Sequence, residues 1–412
     1  MSNSTQAAPT LILRKYKYEN NEQKALLSLI ANSLFGVKAE IPCNTDFNRL
    51  LTESKQQAVT ALALKNVSMP ENVKDANTVF KNITVNSRVF ADHTLLNNIM
   101  TKANIPYTVL KGAASAYYYP DPIFRAMGDV DFLVKKEDIE KATEVLKQNG
   151  FKPWEEEHIC HIVFRKGKIH LEMHFEPAGV PNGKAGEAVR KYISDMIETS
   201  ELVKTELCTF VNPDKFHHGL IMLLHMQHHL LSEGIGLRHL CDWAVFVNSF
   251  KGNEFETLFK ERLKNVGLWT FAKTISLAAS IGIGLPKQEF MGGNTELACS
   301  TLNDIISGGN FGSKDKDRSG EGFFISNRGK DGVNHSRPVQ FILSVNQIVY
   351  TNWKVTKKAK ILLPIGWAFW GIRRFIRVLT GKRRHMNFKK LYNSSKSRKE
   401  LYKQLHLFET EC

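Results

Sequence analysis

The sequence predicts an α+β protein in which a small mixed β-sheet lies between a helical N-terminal segment and a larger helical C-terminal domain. Alternating apolar and polar residues at 129–134 and 168–175 are typical of strands, and a short β-branched and aromatic run precedes them at 107–110. Apolar residues recur at helical spacing through most of 188–307. Strands and helices that alternate before further strands predict a sheet with helices on one side.

Breaks in these patterns predict four regions. Three glycines and a proline interrupt the chain between Gly179 and Gly186, so we expect the sheet to end near there. The regions are a helical N-terminal segment at 1–104, the sheet domain at 105–180, a helical domain at 187–312, and a connection, two helices and a basic tail at 313–412.

Each element has a local justification. In the N-terminal segment Leu26 and Ile30 lie one helical turn apart, and similar spacing continues further on. This periodicity predicts helices over 23–35, 47–65 and 79–103. In the sheet domain we expect helices over 113–119 and 136–148 and further strands over 151–154 and 161–166. Beyond an irregular connection at 308–332, helices are predicted over 341–360 and 367–379, followed by a basic polar tail.

A glycine turn follows the strand at 107–110. Lys111 and Gly112 end this strand, and the helix predicted from Ala113 begins directly after them. A turn that leads into a helix N-terminus offers backbone N–H groups to an anion. The turn is therefore a candidate phosphate site.

Two aspartates lie close together in the next strand. Because side chains alternate along a strand, Asp129 and Asp131 project from the same face, about 7 Å apart along it. Adjacent carboxylates repel each other, and a divalent cation relieves the repulsion. The spacing predicts a metal site, although two solvated acids on a surface strand would have the same pattern.

These motifs resemble a known family. The order of glycine turn, helix and Asp-x-Asp strand resembles the nucleotidyltransferase superfamily with the polymerase-β-like palm. Leu-Lys-Gly at 110–112 and Arg-x-x-Gly-Asp-x-Asp at 125–131 resemble its bacterial branch. The resemblance is specific over 107–175 and looser to about Gly312. It implies a palm in the sheet domain and leaves the acceptor substrate open.

The resemblance also implies three catalytic carboxylates. Asp129 and Asp131 would bind Mg²⁺ or Mn²⁺, and the superfamily uses a third acid on a later strand. Glu172 is the candidate, in an alternating run that places His170, Glu172 and His174 on one face. Glu172 would complete the metal site or act as a base. His174 would assist a metal or substrate, or be hydrogen-bonded inside the sheet.

Four residues are implied to contact the nucleotide: Lys111, Gly112, Ala113 and Arg125. The usual turn of the superfamily is Gly-Gly or Gly-Ser, so the Lys-Gly-Ala turn is a departure from it. Lys111 would contact the triphosphate as a point charge, or lie in solvent at the strand end. Arg125 would clamp a phosphate bidentately, or form a structural ion pair with neighbouring acids.

Histidines cluster on the helix predicted over 214–231. His225, His228 and His229 share one face, as zinc ligands do, but Met226 stands where a metalloprotease has its glutamate. A histidine cluster without a metal is therefore the favoured interpretation.

Arg238 and Asp242 lie four residues apart on the next predicted helix. That spacing predicts a salt bridge within the helix. The segment also resembles a helical feature of the bacterial branch that faces the cleft. Arg238 and Asp242 are therefore second-rank site candidates, together with His174.

The positive charge of the chain belongs to its C-terminal tail. The 412 residues contain 56 basic and 41 acidic side chains, a net charge of +15, and counting from 354 to 412 gives 16 basic and 3 acidic residues, or +13. The remaining +2 gives no reason to expect the body to bind nucleic acid, and no specific nucleic-acid signature occurs. Six cysteines without a paired spacing and no secretory signal favour the cytoplasm.

The apolar stretch at 361–372 precedes two arginines. Its twelve residues are too few to cross a bilayer, which needs about 20. It would either lie in a membrane interface with its cationic flanks on anionic lipid, or pack against the helical domain. Peripheral contact with an anionic membrane through the basic tail is therefore an open prediction.

The residues and the resemblance together predict a cytoplasmic, metal-dependent nucleotidyltransferase. It would transfer a nucleoside monophosphate from a nucleoside triphosphate, such as ATP, to an unidentified acceptor and release pyrophosphate. One alternative is a non-catalytic nucleotide-binding or regulatory protein that keeps the palm. Another is a toxin-like transferase that acts on tRNA or protein.

Overall fold

Four helices precede the sheet in the computed structural model, which describes residues 17–75, 77–154, 160–325, 335–353, 355–381 and 386–410. They are α1 (Asn21–Phe35), α2 (Phe47–Gln56), α3 (Thr60–Leu64) and α4 (Thr78–Lys102). The Asn20 side chain caps α1 by accepting the Gln23 N–H. The prediction of one helix over 47–65 is wrong, because Ala58 adopts a positive φ of 54° between α2 and α3.

Five strands form a mixed sheet in the order β1-β2-β5-β4-β3. They are β1 (Tyr107–Val109), β2 (Val130–Val134), β3 (Lys152–Pro153), β4 (His161–Lys166) and β5 (Ile169–His174). The central pair β2 and β5 is parallel, and the other neighbours are antiparallel. The predicted α+β class with a small mixed sheet is confirmed.

The helix after the glycine turn is shorter than predicted. It is α5 (Ala113–Ala116), whereas α6 (Ile139–Gln148) lies within its predicted range. Tyr119 precedes Pro120, and a residue before proline disfavours the helical conformation. The Tyr119 hydroxyl donates to Asp242 Oδ1 over 2.7 Å, which fixes this side chain against the helical domain.

Strand β2 is buried on both faces. Val130, Phe132 and Val134 join the core formed with α4, whereas Leu133 joins the larger core of the helical domain. Because side chains alternate along a strand, Asp131 shares the face of Leu133. This register directs the Asp131 carboxylate toward the helical domain.

A two-stranded hairpin of β6 (Glu201–Lys204) and β7 (Thr209–Asn212) lies within the region predicted to be mostly helical. Strand β6 contradicts that prediction, whereas β7 coincides with a break in the helical periodicity at 209–213. The β7 strand packs on α4, where the Thr209 N–H donates to Thr94 Oγ1 over 3.0 Å. Each strand has only four residues, so a helical period and a strand period were hard to distinguish there.

Six helices of this region surround an aromatic core that includes Trp243, Phe246 and Phe259. They are α7 (Gly183–Tyr192), α8 (Lys215–Leu230), α9 (Leu237–Asn248), α10 (Glu254–Asn265), α11 (Trp269–Ile283) and α12 (Thr295–Gly308). Helices α8 and α9 lie beside the sheet face that carries Asp131, and they supply one wall of the site described below.

The C-terminal region has more helix than predicted. It contains α13 (Arg318–Ile325), α14 (Arg337–Asn352), α15 (Val355–Lys358), α16 (Leu363–Leu379) and α17 (Phe388–Lys403). Helix α13 falls within the expected irregular connection, and α17 within the expected polar tail. A buried polar network explains α17, because Arg398 Nη1 donates to Glu321 Oε2 over 2.6 Å and the Tyr402 hydroxyl donates to Asp304 Oδ2 over 2.6 Å.

We expect Tyr402→Phe to lower the free energy of unfolding by about 1–2 kcal/mol, because it removes a buried hydrogen bond to a carboxylate. Chemical denaturation of the full chain measures this change. Tyr117→Phe is the matched control, since the Tyr117 side chain is exposed, and it should leave stability unchanged. Equal stability of both variants would contradict the docking of α17 on the body.

Candidate active site

The glycine turn is shaped by a histidine from α4. Gly112 has a positive φ of 64°, and the following N–H, from Ala113, donates to His93 Nε2 over 3.2 Å. Burial lowers the pKa of His93 to about 3, so its imidazole is a neutral acceptor at neutral pH. A Cβ at Gly112 would lie 2.6 Å from His93 Nε2. The Ala113 N–H, which the sequence predicts to contact phosphate, thus already donates to His93. The sequence analysis did not predict this role of His93.

The three predicted carboxylates lie together at two inner strands of the sheet, β2 and β5. Asp131 of β2 is opposite Glu172 of β5 in the parallel register, and Asp129 immediately precedes β2. The Asp131 carboxylate, together with burial and the Glu172 carboxylate, raises the pKa of Asp129 to about 7. This repulsion is what a divalent cation would relieve.

Two cationic groups contact Asp131. Lys111 Nζ lies 2.9 Å and His174 Nε2 lies 3.1 Å from Asp131 Oδ1. Burial acts to raise the pKa of Asp131, but these two neighbours outweigh it and hold this pKa below its usual range. Burial acts to lower the pKa of His174, whereas Asp131, Cys160 and Glu172 together raise it to about 10. His174 is therefore an imidazolium at neutral pH.

Two groups of three side chains among the described residues have donor atoms within 4.8 Å of one another. One is Asp131, Glu172 and His174, and the other is Cys160, His161 and His174. Carboxylate oxygens are the ligands that Mg²⁺ and Mn²⁺ prefer, whereas protonated His174 has no lone pair to offer a cation and instead donates to Asp131. The carboxylates of the first group, with Asp129 beside them, therefore fit the predicted metal. The predicted histidine trio on α8 is absent from both groups.

A cleft between the sheet and helices α8 and α9 adjoins the carboxylates. Lys111 connects the cleft with the carboxylates, because its side chain lines the cleft and also contacts Asp131. The other lining residues are Ser115, Arg125, Met222, His225, Met226, Arg238, His239 and Asp242. Burial, with smaller contributions from nearby cations, keeps the pKa of His225 and of His239 well below the ordinary value. Positive charge in the cleft thus comes from lysine and arginine.

Arg125 and Asp242 form a buried bidentate ion pair. Arg125 Nε and Nη2 donate to the two Asp242 oxygens over 2.8 and 2.7 Å, and the Tyr119 hydroxyl adds a third hydrogen bond. Arg125 therefore forms a structural ion pair, but its partner is Asp242 of α9 and not one of the neighbouring acids. The salt bridge predicted between Arg238 and Asp242 is not formed, because Asp242 faces Arg125 across the cleft instead.

Arg238 presents an unsatisfied donor to the cleft. Its buried Nε has no hydrogen-bond partner among the described residues, and its guanidinium carbon lies 5.7 Å from the centre of the Phe311 ring. Burial and the nearby Arg125 lower the pKa of Arg238 from its ordinary value. A cationic group that lacks a partner at a cleft wall is suited to bind an anion.

A small mixed sheet that sets three carboxylates beside a glycine turn and a cationic cleft is the arrangement that the resemblance to nucleotidyltransferases implies. The sequence profile of a family described as uncharacterised nucleotidyltransferases matches residues 43–280, more than half of the chain. The protein belongs to this family, and the matched range includes every candidate site residue. No curated protein and no solved structure matches the chain.

Proposed function

We propose that the protein transfers a nucleoside monophosphate from a nucleoside triphosphate to an acceptor hydroxyl or phosphate and releases pyrophosphate. The observation that carries this proposal is the position of three carboxylates beside a cleft that contains Lys111 and Arg238. We assign the reaction to the cytoplasm, where nucleoside triphosphates are supplied.

Asp129, Asp131 and Glu172 would hold one or two Mg²⁺ or Mn²⁺ ions. Such ions stabilise the charge of the triphosphate and of the attacking oxygen. His174 would orient Asp131, since it donates to Asp131 Oδ1 and lies 3.6 Å from Glu172 Oε2. The carboxylates therefore keep a fixed geometry on two adjacent parallel strands.

Lys111 and Arg238 would bind the triphosphate. Lys111 reaches Asp131 from the glycine turn and also borders the cleft, so a short movement of its ammonium brings it to a phosphate oxygen. Arg238 supplies the Nε donor that has no partner among the described residues. Arg125, held by both Asp242 oxygens, would position α9 relative to the turn.

The reaction balances without a further reagent. An oxygen of the acceptor attacks the α-phosphorus, and the new O–P bond replaces the bond between that phosphorus and the bridging oxygen to the β-phosphate. The bonding electrons leave with pyrophosphate. When the acceptor is a hydroxyl, its proton passes to a carboxylate of the site, for which Glu172 is the candidate.

The test is a labelling experiment. Purified protein is incubated with cell extract, Mg²⁺ or Mn²⁺ and each nucleoside triphosphate labelled at the α-phosphate, and the labelled product is identified. We expect one product, which disappears when EDTA is added. Label on tRNA or on protein would favour the toxin-like alternative. Nucleotide binding without any label transfer would favour the non-catalytic alternative and contradict this proposal.

A further inference from the structure

Helix α16 carries an exposed apolar stripe. Ile365, Phe369, Ile372, Ile376 and Leu379 follow one another at intervals of four, three, four and three residues, which places them along one face. Their exposed fractions range from 46% to 70%, and Ile361 and Phe375 extend the same surface. We call this set of seven side chains the α16 stripe. An apolar surface of this extent commonly marks an interaction site.

The opposite face of α16 is packed against α14. A Cβ at Gly366 would lie 2.3 Å from Val349 Cγ1, so the glycine permits the close approach of the two helices. Trp367 Nε1 donates to Asn346 Oδ1 over 2.7 Å. Because the face of α16 with Gly366 and Trp367 packs against α14, the stripe is a second apolar face that points away from this contact.

The charge around the stripe selects an anionic partner. The sequence from 332 to 399 contains 16 lysines and arginines and no aspartate or glutamate, and of these Arg398 and Lys390 are paired with acids of the preceding segment. Arg373 and Arg377 lie within α16 itself, among the stripe residues. Long basic side chains beside an apolar face extend toward phosphate groups while their stems remain on the apolar surface.

We propose that α16 binds the surface of an anionic membrane, with the stripe inserted to the depth of the headgroups. A helix with one apolar face and basic flanks lies in the plane of the interface. No helix in the described part of the chain is long and apolar enough to cross a bilayer. Five of the seven stripe side chains are aliphatic and offer no stacking to nucleic-acid bases. A second copy would bring two basic surfaces together.

Co-sedimentation with vesicles tests the proposal. We expect the full-length protein to bind vesicles that contain phosphatidylglycerol, and to bind pure phosphatidylcholine vesicles much more weakly. Raising the salt from about 0.05 M to about 0.5 M should release the protein, because screening shortens the reach of the basic side chains. Phe375→Asp should weaken binding about ten- to hundredfold, since it removes one inserted aromatic side chain.

Phe80→Asp is the matched control. Phe80 is a similarly exposed phenylalanine on a helix, 71% against 63% for Phe375, and it lies on α4, outside the basic segment at 332–399. This variant should bind vesicles as the unchanged protein does. Phe375→Asp should still transfer label in solution, so a failure of membrane binding is distinguishable from a failure of the proposed function.

Three results would overturn the proposal. The first is equal binding of Phe375→Asp and Phe80→Asp to anionic vesicles. The second is detection by light scattering of a dimer of the unchanged protein and a monomer of Phe375→Asp. This result would show that the stripe binds a second copy of the protein and not a membrane. The third is loss of RNA binding in Phe375→Asp without any change in vesicle binding.

Discussion

Asp129→Asn is expected to abolish nucleotidyl transfer and to stabilise the metal-free protein at neutral pH. The substitution removes one of the three carboxylates that would hold the metal, so we expect kcat to fall by about 10²–10³-fold or more. The gain in stability arises because Asp129 lies beside Asp131 and Glu172, whose charges raise its pKa to about 7. Few substitutions remove activity and add stability together, and this combination is characteristic of a functional acid cluster.

The pH dependence of this gain follows from the direction of the pKa shift. The pKa of Asp129 is raised from 3.8 to about 7, so the folded protein retains a proton that the unfolded chain releases. Ionised Asp129 therefore costs stability, and this cost grows as pH rises from about 4 and levels off above about 7. Asp129→Asn should match the unchanged protein at low pH and be more stable above neutral pH.

Thermal unfolding in EDTA across this pH range measures the effect, and the labelling assay with metal measures activity. Glu140→Gln is the control, because Glu140 is an exposed acid in the first turn of α6 of the same domain; it should leave activity unchanged and lower stability by at most about 1 kcal/mol, without the gain expected for Asp129→Asn. An Asp129→Asn protein that is less stable than the unchanged protein at every pH, and still active, would contradict the metal-site assignment.

The carboxylates could be predicted because their positions follow from local rules. The period of a strand places Asp129 and Asp131 on one face, and the same rule applies to Glu172 and His174. The pairing of β2 with β5 does not follow from either strand alone, because it depends on contacts across 41 residues between Asp131 and Glu172. The family resemblance supplied that step.

Residues whose role depends on distant partners were missed. His93 lies on the buried face of α4 near Val89, Phe90 and Leu96, a pattern also typical of a core histidine, and only the fold brings it to Gly112. Arg398 looked like part of a solvated basic tail, yet it is buried against Glu321. Deletion of the tail from 354 onward would therefore remove part of the core, and point substitutions are the cleaner test of membrane binding.

The Arg125–Asp242 pair spans 117 residues of sequence, so no local pattern predicted it. We expect Arg125→Met to lower the free energy of unfolding by about 3–5 kcal/mol, because it leaves a buried carboxylate without its counter-charge. Chemical denaturation measures this loss. Arg190→Met is the control, since the pair that Arg190 forms with Glu176 is partly exposed, and removing it should cost at most about 1 kcal/mol.

The double variant Arg125→Met/Asp242→Leu separates an ion pair from a phosphate clamp. If Arg125 and Asp242 form a purely structural ion pair, the double variant should be more stable than Arg125→Met alone, because it no longer contains an unpaired buried carboxylate. Its KM for the nucleoside triphosphate should still be raised, since the pair fixes α9 and thereby Arg238 at the cleft wall. A stable Arg125→Met protein that has lost only triphosphate affinity would instead show that Arg125 leaves Asp242 to bind phosphate directly.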